Sequence, residues 1–176
     1  IDIQWSKTDK QNSNDIFLEY MPKIKDKSAL IISILIPIAI GALSALFSNN
    51  MSSYATLVKP PLSPPSFIFP IVWTIFFILM GISSYTVYKS EDSNRNKALF
   101  IYGLQLIFNF FWSIIFFGFS QFLFALIWLI ILIVIIIFMI VNFYKISPLS
   151  AYLQIPYLFW CLFATYLNFM IFVLNK

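Results

Sequence analysis

The chain has 176 residues, of which 61% are hydrophobic and only 10% are charged. A water-soluble domain of this length cannot bury so much apolar surface, so lipid is the expected solvent for most of the chain. The absence of histidine and the single cysteine exclude a disulfide framework and any Ser-His-Asp or Cys-His nucleophile, and they argue against a zinc or His-ligated haem site.

Residues 1–27 are polar and carry charges of both signs, which predicts a tail or a short surface segment. Met21-Pro22-Lys23 resembles a native start, so we interpret the first 20 residues as an extension. The first apolar run, at about 28–48, is longer than a signal-peptide core and long enough to cross a bilayer. We therefore expect a retained helix that opens a single membrane domain over 28–176.

A Pro-rich loop is predicted over 49–66. Its second part, Lys59 to Ser66, contains four prolines, each of which removes a backbone N–H donor and restricts the residue before it. Because a helix cannot continue through such a segment, we expect the loop to be stiff and partly polyproline-like.

The rest of the chain divides at two polar turns and one break. The second apolar run ends at the charged turn 89–97, and a short turn at 145–148 precedes the last run. The uncharged stretch 98–144 is too long for one crossing of a hydrocarbon core of about 30 Å, and Gly118-Phe119-Ser120-Gln121 breaks it near its middle. The sequence thus predicts an all-α, integral membrane bundle of five transmembrane helices, at about 28–48, 67–88, 98–117, 121–144 and 149–174.

The basic residues predict how this bundle is oriented. With five spans, the N-terminus and the turns 89–97 and 145–148 share one side, which holds nine of the 11 lysines and arginines, whereas Lys59 and Lys176 lie on the other. The positive-inside rule then places the N-terminus in the cytoplasm and the Pro-rich loop outside, in what we expect to be a bacterial cell membrane. Since the basic residues lie at the ends of apolar runs, membrane topology explains them better than nucleic-acid binding does.

The predicted spans contain no Asp, Glu, Lys or Arg. Proton- and ion-coupled transporters usually keep such groups inside the membrane. Their absence from the sequence of the spans argues against a pump or a coupled antiporter, whereas a passive pathway stays open.

Three spans carry aromatic and amide side chains at helical spacing. They are Trp73 and Phe77 in span two, Gln105, Asn109 and Trp112 in span three, and Tyr157, Trp160, Ala164 and Asn168 in span five. If these faces converge, they enclose an aromatic-walled cavity that suits a flat and largely hydrophobic ligand. The alternative is ordinary packing, with rings in interfacial belts and amides bonded between helices. Gly41 and Ala45 likewise predict close helix contact, within the bundle or across a dimer.

Several longer motifs follow one another along the chain. They are Lys59-Pro60-Pro61-Leu62-Ser63-Pro64-Pro65, Phe69-Pro70-Ile71-Val72-Trp73-Thr74, Tyr102-Gly103-Leu104-Gln105, Asn109-Phe110-Phe111-Trp112-Ser113, Ser147-Pro148-Leu149, Pro156-Tyr157-Leu158-Phe159-Trp160 and Ala164-Thr165-Tyr166-Leu167-Asn168. Together they resemble the signature of the TspO/MBR family over about 28–175. This family comprises the tryptophan-rich sensory proteins of bacteria and the translocator proteins (peripheral benzodiazepine receptors) of mitochondria.

The resemblance implies a five-helix bundle, often a homodimer, with a ligand cavity inside it and the first loop folded over the cavity mouth. Family ligands include porphyrins, notably protoporphyrin IX, and we expect no other cofactor and no metal. Carried over by position, the ligand-binding residues are Ser44, Tyr54, Pro64, Trp73, Phe77, Gln105, Asn109, Trp112, Trp160 and Ala164.

Two positions depart from the family pattern. Trp128 stands in the fourth span where relatives can carry an acidic residue, so any role of that carboxylate is missing here. The cholesterol-recognition pattern of animal members needs a Tyr followed closely by a basic residue, but Phe169 replaces this Tyr and the first basic residue after Tyr166 is Lys176. The sequence therefore argues against sterol binding.

The resemblance favours a membrane receptor or carrier that regulates the level or transport of tetrapyrroles. A second hypothesis is light- and oxygen-dependent breakdown of protoporphyrin, in which Trp73 and Trp160 take part as oxidisable groups, although the sequence offers no general base or metal-ligand set for ordinary catalysis. A third is a structural or partner-binding membrane subunit without a small ligand.

Overall fold

The computed structural model describes residues 26–48 and 56–176. The regular elements in these two ranges are helices: α1 Lys27–Phe47, α2 Ile68–Tyr88, α3 Arg95–Ser113 with a π-helical turn Ile114–Gly118, α4 Phe122–Ile146, α5 Pro148–Tyr152 and α6 Ile155–Leu174. In this part of the chain they provide five segments long and apolar enough to cross a membrane, the fifth being α5 and α6 together. The predicted all-α bundle of five transmembrane helices is confirmed, and the largest shift of a boundary is the start of α3, at Arg95 instead of about 98.

Local chemistry sets the beginnings of the helices. Asp26 caps α1, because its Oδ1 accepts a hydrogen bond from the backbone N–H of Ala29 at 3.0 Å. Pro148 opens α5, where the helix needs no N–H donor. The helix then stops at Tyr152 and resumes at Ile155, so Pro156 falls in the first turn of α6 and breaks no helical hydrogen bond. The predicted fifth span is therefore built from two helices.

The helices close into one bundle. α1 packs against α2 and α3, α3 against α4, α4 against α5 and α6, and α5 against α2. We call the end that holds residues 56–66 and Asn175 the Pro-rich end. The end that holds Asp26, 89–97 and 145–147 is the basic end.

Two glycines allow α1 and α2 to approach closely. A Cβ atom at Gly81 of α2 would lie 2.5 Å from the Cα and 2.9 Å from the N of Ile34 in α1, and these are backbone atoms that cannot move aside. A Cβ at Gly41 of α1 would overlap the ring of Phe77 in α2. The predicted close contact at Gly41 therefore lies within the bundle, whereas Ala45 is exposed.

Candidate functional site

Aromatic rings from α2 and α6 meet inside the bundle. Trp73 stacks on Phe77 with ring centroids 5.5 Å apart, and it contacts Tyr157 edge-on at 6.1 Å. Phe76 lies between the two helices, with its ring centroid 5.9 Å from that of Tyr157 and 6.0 Å from that of Trp160. These distances are in the range of favourable ring contacts. We call Trp73, Phe76, Phe77, Tyr157 and Trp160 the aromatic wall.

Gln105 of α3 places an amide against this wall. Its Oε1 accepts a hydrogen bond from the Tyr157 hydroxyl at 3.2 Å, and its Nε2 donates to the Met80 sulfur at 3.9 Å. The side chain has no exposed surface. Because a primary amide has two donors and two acceptor lone pairs, Gln105 keeps hydrogen-bonding capacity for a ligand.

A second polar layer lies nearer the Pro-rich end. Trp112 Nε1 donates to Asn168 Oδ1 at 3.4 Å, and Asn168 Nδ2 donates to the Phe122 carbonyl at 2.8 Å. These bonds connect α3, α6 and the start of α4. Asn109, on the same face of α3 as Gln105 and Trp112, is buried. Its amide bonds to no other side chain or carbonyl in residues 26–48 and 56–176, so it can serve a ligand.

The described part of the Pro-rich loop is fastened to α6. The backbone N–H and carbonyl of Val58 both bond to the side chain of Asn175, and the Tyr166 hydroxyl donates to the Pro61 carbonyl at 3.2 Å. Around Pro61, the Ser63 N–H donates to the Pro60 carbonyl at 3.3 Å. This bond closes a turn in which Leu62 has a φ of 69°. The loop thus lies at the Pro-rich end of α6.

The structure brings together only some of the residues predicted for ligand binding. Trp73, Phe77, Gln105 and Trp160 meet at the aromatic wall, while Asn109, Trp112 and Ala164 lie on the same helices nearer the Pro-rich end. Ser44 is buried and donates to the Phe110 carbonyl at 3.0 Å, so it joins α1 to α3. Pro64 is half-buried in the loop, and Tyr54 lies outside the described residues.

Two further aromatic residues make contacts between helices that were not predicted from the sequence. Phe76 sits at the centre of the aromatic wall but is not among the predicted residues. Trp128 donates from Nε1 to the Phe108 carbonyl at 2.8 Å and stacks on the Phe108 ring at 4.5 Å. It therefore packs α4 against α3.

The rings of the wall and Gln105 differ in their exposure. Phe77 is 8% exposed and Gln105 0%, whereas Trp73 and Trp160 are half-buried. A cavity of about 290 Å³ lies at the basic end, and it is lined by Ile140, Val141, Tyr144, Lys145, Ala151, Tyr152 and Ile155.

The chemistry of the site is that of neutral groups. The aromatic wall, Gln105, Asn109 and Asn168 carry no formal charge. In residues 26–48 and 56–176, no group of three or more His, Cys, Asp or Glu is arranged to hold a metal. The arrangement can stack on a flat apolar ligand and orient it by amide hydrogen bonds.

Comparison with known proteins gives consistent matches over most of the chain. The sequence profile of the TspO/MBR family matches residues 33–174. The chain is 36% identical to the tryptophan-rich protein TspO of Chlorobaculum tepidum over 142 residues, which cover 78% of this chain and 90% of that protein. It is 38% identical to the protein of the same name from Archaeoglobus fulgidus over 148 residues, covering 83% and 96%. It is also 38% identical to the translocator protein of Homo sapiens over 121 residues, covering 67% and 72%.

Proposed function

Since this chain belongs to the TspO/MBR family, we propose that it is a membrane receptor or carrier that binds tetrapyrroles such as protoporphyrin IX and regulates their level or transport. The observation that supports this best is the convergence of Trp73, Phe76 and Trp160 beside the amide of Gln105. A tetrapyrrole is flat and largely apolar, so the wall can stack on its faces while the amides bond to its polar edge.

The charge of the ligand sets its orientation. Protoporphyrin IX carries propionate carboxylates, and an ionised carboxylate is strongly disfavoured among the neutral groups of the aromatic wall. We therefore propose that the macrocycle lies at the wall and that its carboxylates point out of this neutral region, towards the charged residues at one end of the bundle.

We propose that binding rearranges the site. Trp73 and Trp160 are the half-buried rings of the wall, and both pack mainly on other aromatic rings. A bound macrocycle would replace these ring contacts with contacts of the same kind, so the rings can part at modest cost. The loop at 56–66 would close over the ligand from the Pro-rich end.

Titration of tryptophan fluorescence with protoporphyrin IX tests this proposal. We expect saturable quenching of the wild-type protein, and a dissociation constant about 3- to 10-fold larger for Trp73→Phe and Trp160→Phe, because a phenyl ring offers a smaller stacking surface than an indole. Trp128→Phe is the matched control, since Trp128 packs between α3 and α4 and its loss should leave the affinity unchanged. Wild-type protein without saturable quenching would rule out the proposal.

We also propose that the chain forms the homodimer that the family implies, and chemical cross-linking in native membranes tests it.

A second candidate function is light- and oxygen-dependent degradation of the bound porphyrin. It is favoured by the position of two oxidisable tryptophans, Trp73 and Trp160, on one wall with the ring of Phe76 between them. Illumination of the complex in the presence of oxygen, followed by porphyrin absorbance, tests it. Loss of absorbance no faster than in empty detergent micelles would exclude degradation and leave the receptor or carrier role.

A further inference from the structure

A second group of polar side chains is buried below the Gln105–Tyr157 hydrogen bond, towards the basic end. Its members come from four parts of the bundle, and we call them the inner polar cluster: Ser83 and Ser84 of α2, Tyr102 of α3, Ser150 of α5 and Gln154 between α5 and α6. Each is at most 7% exposed, and Ser83, Ser150 and Gln154 are fully buried. All five side chains are neutral at pH 7.

Direct contacts join the cluster across the helices. The Ser83 hydroxyl donates to the Ser150 carbonyl at 2.7 Å, which connects α2 to α5. Ser84 lies beside the hydroxyl of Tyr102, which connects α2 to α3. The Ser84 hydroxyl donates to the Gly81 carbonyl of its own helix at 3.1 Å.

The register of the helices places Gln154 at the same level. Gln154 precedes Tyr157 by three residues, and Tyr102 precedes Gln105 by three, so each lies about one helical turn below one partner of the Gln105–Tyr157 bond. Ser150, in α5, precedes Gln154 by four residues, and its carbonyl accepts the bond from Ser83. The register therefore brings the three residues into one compartment, on neighbouring turns below the aromatic wall.

Four polar atoms of this compartment are buried without a hydrogen-bond partner in the described structure: Tyr102 Oη, Ser150 Oγ, Gln154 Nε2 and Gln154 Oε1. Buried side-chain polar atoms in native proteins are nearly always hydrogen-bonded. The penalty for an unpaired group is largest where no bulk water can reach it, as inside a membrane bundle. Four such atoms on neighbouring turns indicate a common partner rather than four separate defects.

We propose that the inner polar cluster is a binding site for ordered water, held mainly by Tyr102, Ser150 and Gln154. A buried water makes two to four hydrogen bonds to otherwise unsatisfied groups, and two hydroxyls and an amide supply donors and acceptors of both kinds. A cation or an anion fits less well, because the cluster offers no opposite charge. The water connects three helical segments on the basic-end side of the aromatic wall and holds them together there. This site does not depend on the tetrapyrrole proposal.

Water contact at the Gln154 amide can be measured directly. The full chain is labelled with 15N-glutamine in detergent micelles, and rotating-frame Overhauser transfer from water to each assigned side-chain amide is recorded. We expect transfer to Gln154. Gln105 is the matched control, because it is equally buried but bonds to Tyr157 and Met80, and we expect no transfer to it. Wild-type protein without transfer from water to Gln154 would overturn the proposal.

The substitution Gln154→Leu gives a second test through the sign of its effect. If water bridges Gln154 to Tyr102 and Ser150, the apolar side chain removes a partner from that water, and the unfolding midpoint falls by several degrees. If the amide is instead unpaired, replacing it with an apolar side chain of similar size removes a penalty, and the midpoint rises. Gln121→Leu at an exposed position is the control and should change the midpoint little. A rise for Gln154→Leu contradicts the water site.

Discussion

Asn175 holds the backbone of Val58 through two hydrogen bonds. Its Oδ1 accepts from the Val58 N–H at 2.9 Å, and its Nδ2 donates to the Val58 carbonyl at 3.0 Å. A single side-chain amide therefore joins two residues that are 117 positions apart in sequence. Because Val58 enters the Pro-rich loop and Asn175 follows α6, this pair sets where the loop lies over the bundle.

Asn175→Ala should loosen the loop without unfolding the bundle. We expect the Val58 amide proton to exchange about fivefold faster, because the net loss for one such bond is about 1 kcal/mol, and a bound porphyrin to dissociate faster. Hydrogen exchange followed by NMR checks the first effect. Asn142→Ala is the control, since the Asn142 side chain bonds within its own helix to the Phe138 carbonyl. Unchanged exchange at Val58 would mean that other contacts hold the loop.

Gly81→Ala should destabilise the contact between α1 and α2. The added methyl would press on the backbone of Ile34, so the helices must separate, at a cost of about 1–3 kcal/mol typical of overpacking. Gly103→Ala is the matched control in α3, where a Cβ meets nothing within 4 Å. There we expect stabilisation of about 0.5–1 kcal/mol from helix propensity. Unfolding by denaturant in micelles measures the free energy of unfolding of both variants. Equal changes in the two variants would contradict the close approach of α1 and α2.

Tyr157→Phe should separate the polar role of this residue from its aromatic role. The ring contacts with Trp73 and Phe76 remain, but the buried Oε1 of Gln105 loses its donor. We expect a loss of about 1–3 kcal/mol in the free energy of unfolding, measured by denaturant titration. Tyr88→Phe, at an exposed position, is the control. A variant as stable as wild type would show that the hydroxyl is not needed by Gln105.

The sequence predicts the directions of side chains within one helix better than the relations between helices. Trp73 and Phe77, four residues apart, share a face wherever α2 is placed, and they do stack. Which neighbouring ring reaches α6 depends on the rotation of α2 about its axis. That rotation results from packing between helices, so Phe76 could not be distinguished from sequence.

The same limit applies to contacts that depend on helix register or on breaks. Gly81 meets Ile34 because α1 and α2 slide to one particular register, which no sequence motif records. The fifth span, predicted as one helix, is divided between Tyr152 and Ile155, and the fully buried Gln154 is the N-cap residue of α6.

The positive-inside rule predicts an orientation in the membrane, and labelling tests this prediction. We expect a membrane-impermeant maleimide to label Ser66→Cys from the outside and Ser93→Cys only after the membrane is inverted or opened. Both positions are exposed, at opposite ends of the bundle, and the native Cys161 is buried and should stay unlabelled. Labelling of Ser93→Cys in intact cells would reverse the orientation.

The ion pair between Asp26 and Lys89 should make the stability of the basic end depend on pH only at extreme pH values. The Ala29 N–H and then Lys89 hold the pKa of Asp26 below its ordinary value of 3.8, and Asp26 holds the pKa of Lys89 above 10.5. The contribution of Asp26 to stability is therefore complete above pH 3.8 and disappears as the pH falls through the lowered pKa. That of Lys89 is complete below pH 10.5 and disappears as the pH rises through the raised pKa.

Two substitutions separate the charge of Asp26 from its role as a helix cap. Asn also caps helices well, so Asp26→Asn should keep the bond to the Ala29 N–H and lose only the ion pair, whereas Asp26→Ala loses both. At pH 7 we expect thermal midpoints in the order wild type, Asp26→Asn, Asp26→Ala, with a small first step that shrinks in high salt because both groups are partly exposed. Below the lowered pKa of Asp26 the first two midpoints should coincide. If they already coincide at pH 7, the ion pair adds nothing and the cap alone secures the start of α1.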